Sequence, residues 1–566
     1  MKIICDKSVS GKIWATDDSI AGENVIDSIL EKRGIGVCDR RVFLNPSIAE
    51  QMPDPFVLKG MEAAVKIAAS AVRAKEKIAI FGDYDVDGIT ATALLIKFFR
   101  QIGADIIWRL PDRESEGYGL NEEAVRDFAS QGAKVLMTVD CGITAAREVR
   151  LAKELGLSVV ITDHHEPNEN PVAADAVVNP KQAGDESALS YLAGVGVAFM
   201  FLVALNRELG RPVPDLINNL DLVALGTICD TMPLVGLNRA IVKSGLKVLE
   251  KRQNIGLKAL MDLARVKKSD VYAAGFMLGP RLNAAGRIMD ANLALNLILT
   301  DNHLLAEDLA GQLNDMNTRR QAIQNKILLE ADDLAAEQKA KGAYCIFISG
   351  NDWHGGVMGI VAGRLKEKYN LPCCVATKSE GIINGSGRSI ESVDLGKIIH
   401  LALEEGIITA GGGHAAAAGF ELSSENEEKF SAFLNEKVAA ALGGIYPVPK
   451  IKVDIEMDAG GANLELAENL EQLAPFGIGN GEPVLALSGG IWTYGRTMGS
   501  GGVHLSGTLK TSAGSLPVVG FNMSDSSLGK FLLDDSNFGC KIRIVGKLKE
   551  NDFSGGVQLF LEDIAI

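Results

Sequence analysis

From about residue 61 the chain alternates short apolar β runs with helical patterns, and this alternation narrows the possible folds more than any other feature. KIAIFG (77–82) precedes an apolar-rich helix near 88–102, and ADIIWRL (104–110) precedes a helix near 121–130. KVLMTV (134–139) is followed by a helix near 144–155, and SVVIT (158–162) by a loop. Parallel strands need a long crossover, and crossover helices pack on the sheet faces. The pattern therefore predicts an α/β fold around a parallel sheet. Ligands of such sheets lie at the carboxyl ends of the strands, and the acidic residues of this chain fall there.

Residues 190–300 read as mainly helical. From His303 to about Lys341 a long pattern without Pro carries Leu305, Leu309, Leu313, Met316, Ile323 and Ile327 at mostly helical intervals, which predicts a helix connecting two lobes. A second, smaller α/β unit runs from AYCIFIS (343–349) through a helix near 358–369 and LPCCVAT (371–377) to GGGHAAAAGF (411–420), with a further helix at 424–441. After 446, short alternating strands separated by Gly and Asn/Asp turns predict a small β-barrel of OB type. The expected division is an N-terminal extension (1–60), a first α/β domain (61–235), a helical region with the connector (236–340), the second α/β domain (341–445) and the barrel domain (446–566).

A chain of 566 residues is too long for one core, since domains mostly run about 100–200 residues. Hydrophobic residues at 47% and charged residues at 23% exclude a disordered chain. No run approaches the roughly 18 apolar residues of a membrane span, and MKIICDKSVSGKIWATDD has no apolar run ahead of a cleavage site; a cytoplasmic protein is expected. The eight cysteines form no CxxC pair, which argues against structural zinc and for reduced thiols. A net charge of −15 weighs against a protein that coats duplex DNA, although carboxylates committed to metal ions also lower the formal charge.

Three aspartates alternate in GDYDVDG (82–88), directly after a β run and before a helix. On an extended segment Asp83, Asp85 and Asp87 would share one side, with the turn able to twist the last away. TVDCG places Asp140 at another strand end, ITDHH places Asp163, His164 and His165 at the next, and LGTICDT adds Asp230. A single Asp after a strand is often only a cap or turn residue, and a single His is often structural. Carboxylates from four separate stretches are different, because gathered together they repel unless a cation neutralises them. Oxygen ligands mixed with imidazole suit Mn²⁺ or Mg²⁺. Two such ions about 3.5–4 Å apart can hold the attacking and leaving oxygens of a phosphodiester.

Taken in order, GDYDVDG, VDCG, DHH and TICDT resemble the four motifs of the DHH phosphoesterase superfamily, and GSGRS (385–389) with GGGH (411–414) resembles the substrate-binding motifs of its DHHA1 domain. The resemblance covers the chain from about residue 35 onward, and in length and added segments it points to the branch that degrades single-stranded DNA. It implies a metal-dependent 5′-to-3′ exonuclease with two Mn²⁺ or Mg²⁺ ions. Asp85 and Asp87 would be paired ligands, Asp140 would bridge the ions, and His164 and Asp230 would complete the set. His165 would stand near the scissile phosphate, and Asp163 would orient the histidines. Smaller relatives carry a histidine four residues before the first of the paired aspartates. Here that place is Phe81, so one site would rely on Asp83 or water. A methionine often follows the first alanine after GGGH, and this chain has GGGHAAAAGF instead.

Residues able to hold the strand are Arg109, Arg113 and Tyr118 in WRLPDRESEGYGL (108–120), and Arg281, Asn283 and Arg287 in GPRLNAAGR (279–287). In the second α/β unit they are Ser386 and Arg388, the backbone N–H groups of Gly411, Gly412 and Gly413, and His414. For each arginine alone a solvated salt bridge is the simpler reading, and GGG alone is a turn. In the barrel, Trp492, Tyr494, Arg496 and Phe521 read first as core or surface. The resemblance further implies a monomer working in DNA repair and recombination beside a single-strand-binding protein and a helicase. Two alternatives stand: a DHH phosphodiesterase acting on short oligoribonucleotides or cyclic dinucleotides, and a non-catalytic scaffold of the same fold. The barrel argues against the first and the intact carboxylates against the second.

Overall fold

A computed structural model describes residues 2–17, 25–113, 115–168, 170–211, 214–551 and 555–566. Residue 1 and residues 18–24 of the N-terminal extension, and residues 552–554 of the barrel region, lie outside the described set. The chain forms two compact units, one of residues 41–320 with 475–481, the other of 1–40, 321–474 and 482–566.

In the unit of residues 41–320 five parallel strands form one sheet: β1 (Ile78–Phe81), β2 (Ile106–Arg109), β3 (Val135–Val139), β4 (Ser158–Thr162) and β5 (Ala176–Val178), in the order β2-β1-β3-β4-β5. The strand β5 lies where the sequence reads as loop; three residues are too short to show a period. Strands β1 and β3 are buried throughout, as expected of parallel strands covered on both faces. The chain leaves β1 for β2 on one side and then returns to β3 on the other. The carboxyl ends of β1 and β3 therefore form a switch point, where no crossover covers the sheet edge. Helices α1 (Val86–Gln101), α2 (Glu122–Ser130) and α3 (Ala146–Glu154) follow β1, β2 and β3. The helical stretch beyond the sheet includes α4 (Gly194–Glu208), α5 (Leu220–Cys229) and α6 (Gly279–Ile288). The apolar run foreseen after His303 is one helix, α7 (His303–Ala340), about 57 Å long at 1.5 Å per residue. The boundary between the two units falls within it, after Arg320.

The other unit holds a second five-stranded sheet and a barrel. Strands β6 (Ile346–Asn351), β7 (Cys373–Ser379), β8 (Ile382–Arg388), β9 (Ala410–His414) and β10 (Ala417–Ser423) lie in the order β9-β10-β8-β7-β6. Only the β6–β7 pair is parallel. Helices α8 (Met358–Tyr369) and α9 (Leu395–Glu404) connect the strands. Five further strands close into a barrel: β11 (Leu485–Met498), β12 (His504–Thr511), β13 (Gly514–Gly520), β14 (Lys541–Glu550) and β15 (Val557–Ala565). Closure comes from the pairing of β11 with β14, and β13 pairs with β15 in parallel, giving the expected OB-like topology.

The N-terminal 60 residues do not stay together. Ile13–Thr16 pairs with Lys450–Val453 and with Lys2–Cys5, while residues from 41 onward pack in the other unit. Among the described residues, no helix is long and apolar enough to cross a membrane.

Candidate metal centre

The strand-to-helix turn after β1 brings the first acidic residues to the switch point. Asp85 caps α1, its Oδ1 accepting from Gly88 N at 3.0 Å, and Asp87 lies in the first helical turn. The segment is a tight turn and not an extended run, so Asp87 is rotated away from Asp83 and Asp85. Ligand atoms of Asp83, Asp85 and Asp140 form one triplet within 4.8 Å of one another, and those of Asp87, His164 and Asp230 form another. A third triplet, Asp140 with His164 and His165, links the two.

His164 is the meeting point. Its Nε2 stands 3.2 Å from Asp140 Oδ1, 3.6 Å from Asp230 Oδ2 and 3.8 Å from Asp87 Oδ2. Asp140 follows β3 directly, in a left-handed backbone conformation with φ 60°. Asp87 is held by the amino end of α4, where Gly194 N donates to its Oδ2 at 2.6 Å and Val195 N to its Oδ1 at 2.9 Å. Asp163 is held differently: it accepts from Ile143 N at 2.9 Å, His164 N at 2.7 Å, His165 N at 3.1 Å and His165 Nδ1 at 2.8 Å. A buried carboxylate with four donors is fully committed, and what it holds is the pair of histidines.

Burial pushes the Asp87 carboxyl up to about 7, with the Asp85 charge adding to it, and pushes Asp230 up to about 8, with Asp87 and Asp85 adding. Asp140 and Asp83 are raised for the same reasons. Burial and the neighbouring His165 lower His164 to about 3, leaving a neutral imidazole able to ligate. Burial also works against the charge on His165, yet the hydrogen bond and charge of Asp163 lift it to about 9. Among the described residues, Asp83 Oδ1, Asp140 Oδ1 and His164 Nε2 are buried without a hydrogen-bond partner. Polar atoms seldom stay buried and unpaired unless something absent from the protein chain takes the bond. Oxygen donors around a neutral imidazole fit Mn²⁺ or Mg²⁺. Phe81 is wholly buried at the end of β1 and offers no ligand, while Asp83 stands beside Asp85 and Asp140.

Two glycines that the sequence reading passed over make room for this cluster. A Cβ on Gly194 would stand 2.4 Å from Asp140 Oδ1, and one on Gly226 would stand 2.8 Å from Asp87 Oδ1. The sequence signals were the GVG at 194–196 and the Gly of LGTICDT, and their meaning depends on which helix end meets Asp87.

The residues expected to hold substrate are dispersed in their contacts. Tyr118, half-exposed, places its hydroxyl 3.2 Å from His165 Nδ1. Arg109 pairs with Glu116 at 3.0 Å and Glu123 at 3.1 Å, so its simpler reading as a salt bridge describes its contacts here. Arg281 donates to Met277 O at 2.6 Å and Asn314 Oδ1 at 3.2 Å. Asn283 Oδ1 accepts from Val86 N at 3.1 Å, tying α6 to the start of α1. The guanidinium of Arg113 lies 5.4 Å over the Tyr84 ring.

In the other unit, the glycine run is a strand and not a turn. Register aligns Gly412, Gly419 and Ser386 in one row, and His414, Ala417 and Arg388 in the next but one. Alternate residues share a face, so Ser386, Arg388 and His414 lie on the same side of the sheet. Arg388 donates to Ser386 Oγ at 2.9 Å, and a Cβ on Gly359 would crowd its guanidinium at 2.6 Å. The Gly412 position is open. In the barrel Trp492 is core, donating to Leu532 O at 2.9 Å, while Tyr494 and Phe521 are exposed.

The DHH family, N-terminal domain, matches residues 77–227; the DHHA1 domain matches 339–440; and the RecJ OB domain matches 453–563. The single-stranded-DNA-specific exonuclease RecJ of Bacillus subtilis is 35% identical over 549 residues, covering 96% of this chain and 68% of that protein. Its counterpart in Haemophilus influenzae is 34% identical, with 90% and 91% covered. Among solved structures, RecJ from Thermus thermophilus in complex with Mn²⁺ matches with a TM-score of 0.80 at 30% identity, covering 95% of this chain and 75% of that one. The same protein in complex with Mg²⁺ matches with a TM-score of 0.76.

Proposed function

Because the chain belongs to the RecJ family of single-stranded-DNA-specific exonucleases, we propose that it hydrolyses single-stranded DNA from the 5′ end and releases mononucleotides. It is a phosphodiester hydrolase that works with Mn²⁺ or Mg²⁺. Asp83, Asp85, Asp87, Asp140, His164 and Asp230 would hold two such ions. The reading is carried by the buried, partnerless Asp140 Oδ1 and His164 Nε2, 3.2 Å apart amid three further carboxylates.

When bound, such ions supply positive charge against the phosphate and lower the pKa of water. The chain's own groups do the rest. His165, kept protonated by Asp163, presents a positive donor beside the site, and the Tyr118 hydroxyl also contacts its ring. Gly194 N and Val195 N keep the Asp87 carboxylate turned inward. Asn283 holds the amino end of α1, and with it Asp85 and Asp87. Arg109, Arg281, Ser386, Arg388, Gly412, Gly413 and His414 hold the DNA backbone, Ser386 and Arg388 receiving the 5′-terminal phosphate. The matched RecJ OB domain favours long strands over the dinucleotide substrates of shorter relatives. DNA repair and recombination in the cytoplasm, by a monomer beside a single-strand-binding protein and a helicase, is the setting this activity suits.

The test is degradation of end-labelled linear single strands. Linear strands shorten with Mn²⁺, covalently closed single-stranded circles and blunt duplexes persist, and chelator stops the reaction. Asp140→Ala loses hydrolysis but keeps strand binding. Cleavage of circles, activity confined to dinucleotides, or wild-type turnover in Asp140→Ala would each refute the reading.

A further inference from the structure

One helical segment of the unit of residues 41–320 exposes apolar surface that the chemistry described so far does not use. Tyr272 is 65% exposed and Phe276 69% exposed, and the two rings stack with centroids 5.4 Å apart and planes 23° apart. Single apolar residues at a surface are ordinary. Two large rings stacked on each other in water, on one face of one turn, form a flat aromatic platform. The turn carrying them is unusual as well, since Ala273–Leu278 is π-helical, a geometry that is rare and concentrated at functional sites.

The inner side of this segment packs on the end of α5, next to Asp230. The Cys229 thiol donates to Ala274 O at 3.7 Å. A Cβ on Gly275 would stand 3.2 Å from Ile228 Cγ2, and one on Gly279 would stand 2.5 Å from Cys229 Sγ. Ile228 and Cys229 end α5, and the next residue is Asp230. The same stretch runs on into α6, whose Asn283 holds Val86. The platform therefore faces outward from a segment whose inner face touches the turn bearing Asp230. In the chain, the exposed Lys267 and Lys268 precede this segment and Arg281 follows it. Exposed, flat aromatic faces are what a single strand needs, because its bases stack on them.

We propose that Tyr272 and Phe276 form a base-stacking platform for the single-stranded DNA being degraded, close to the metal centre. The assignment rests on the exonuclease reading above, which supplies the occupant. Stacking on either ring holds the strand without reading its sequence, since every base has a π face.

The full-length chain with Tyr272→Ala and Phe276→Ala together tests this, using a long 5′-phosphorylated oligothymidylate with Mn²⁺. A Tyr272→Leu, Phe276→Leu variant runs beside it, keeping apolar bulk without flat rings. KM is expected to rise roughly five- to a hundredfold in both variants, the range that base–aromatic stacking supplies, with kcat at saturation unchanged. Anisotropy of a labelled strand is expected to show the same loss of affinity. An unchanged KM in the Ala variant overturns the platform. Wild-type KM in the Leu variant overturns it too, because general apolar contact, such as a protein partner would make, then suffices. A fall in kcat with KM intact also overturns it, showing that the rings only support Asp230. A wild-type chain that neither binds nor shortens the strand instead sinks the exonuclease reading.

Discussion

Two adjacent histidines, His164 and His165, carry opposite protonation states because only one of them has a carboxylate to itself. Asp163 bonds His165 and lifts it to about 9, while burial holds His164 near 3. The carboxylates around His164 are raised, Asp87 to about 7 and Asp230 to about 8, from a usual 3.8. A carboxyl or imidazole raised in the folded state binds its proton more tightly there, so its stabilising contribution is full below the unfolded pKa and is lost as pH climbs through the folded one. His164 acts oppositely, but only below its usual 6.5. Between pH 6.5 and 8 Asp87, Asp230 and His165 therefore act in one direction. The metal-free protein is expected to lose on the order of 2 kcal/mol across that window, after discounting the partly exposed His165. Mn²⁺ replaces the protons, so it should raise the melting temperature more at pH 8 than at pH 6.5. Thermal unfolding with chelator and with Mn²⁺ at the two pH values checks this, and an equal metal effect at both would count against a cluster of raised carboxylates.

At the level of elements, the position of a chemical group follows from where a strand stops or a helix starts. Strand β8 carries Ser386 and Arg388 to the same face as His414 on the edge strand β9, with β10 between them. This row exists only because GGGH pairs back on AAGF as a hairpin, which the triple glycine allows: Gly413 has φ 151°, and a Cβ there would meet Ala417 O at 2.4 Å. Arg388 already bonds Ser386 Oγ and Gly387 O, so its guanidinium is preoriented. Replacing it with Ala is expected to cut the preference for 5′-phosphorylated over 5′-hydroxyl strands by about tenfold or more, the scale of one lost charge-assisted contact. Competition between the two strands measures it, and an undiminished preference would move the end-binding role to other residues.

Across the whole molecule, the two ends of the chain are joined. Trp14 is fully buried, and its Nε1 donates at 3.0 Å to Asp563 Oδ2, 549 positions away. Trp14→Phe keeps most of the packing but leaves the buried Asp563 carboxylate one donor short, and should destabilise by about 1–3 kcal/mol. Denaturant unfolding gives the measurement, and a change within error would show that Ser10 N and Ile564 N satisfy that carboxylate alone. Nothing near residue 14 or residue 563 announces this pairing, because it depends on chain closure over the entire length. The strands β1 to β4, the long helix α7, the barrel and the acidic motifs were legible in advance, since periodicity and turn chemistry are local properties. The strand β5, the division of the first 60 residues, the helix end at Gly194 that grips Asp87 and the clearance at Gly226 were not. By itself the sequence determined which groups could bind metal and which stretches would be strands. Only the tertiary structure decided that Asp83, Asp87, Asp140, His164 and Asp230 meet, because a switch point exists only once strands have taken their order in a sheet.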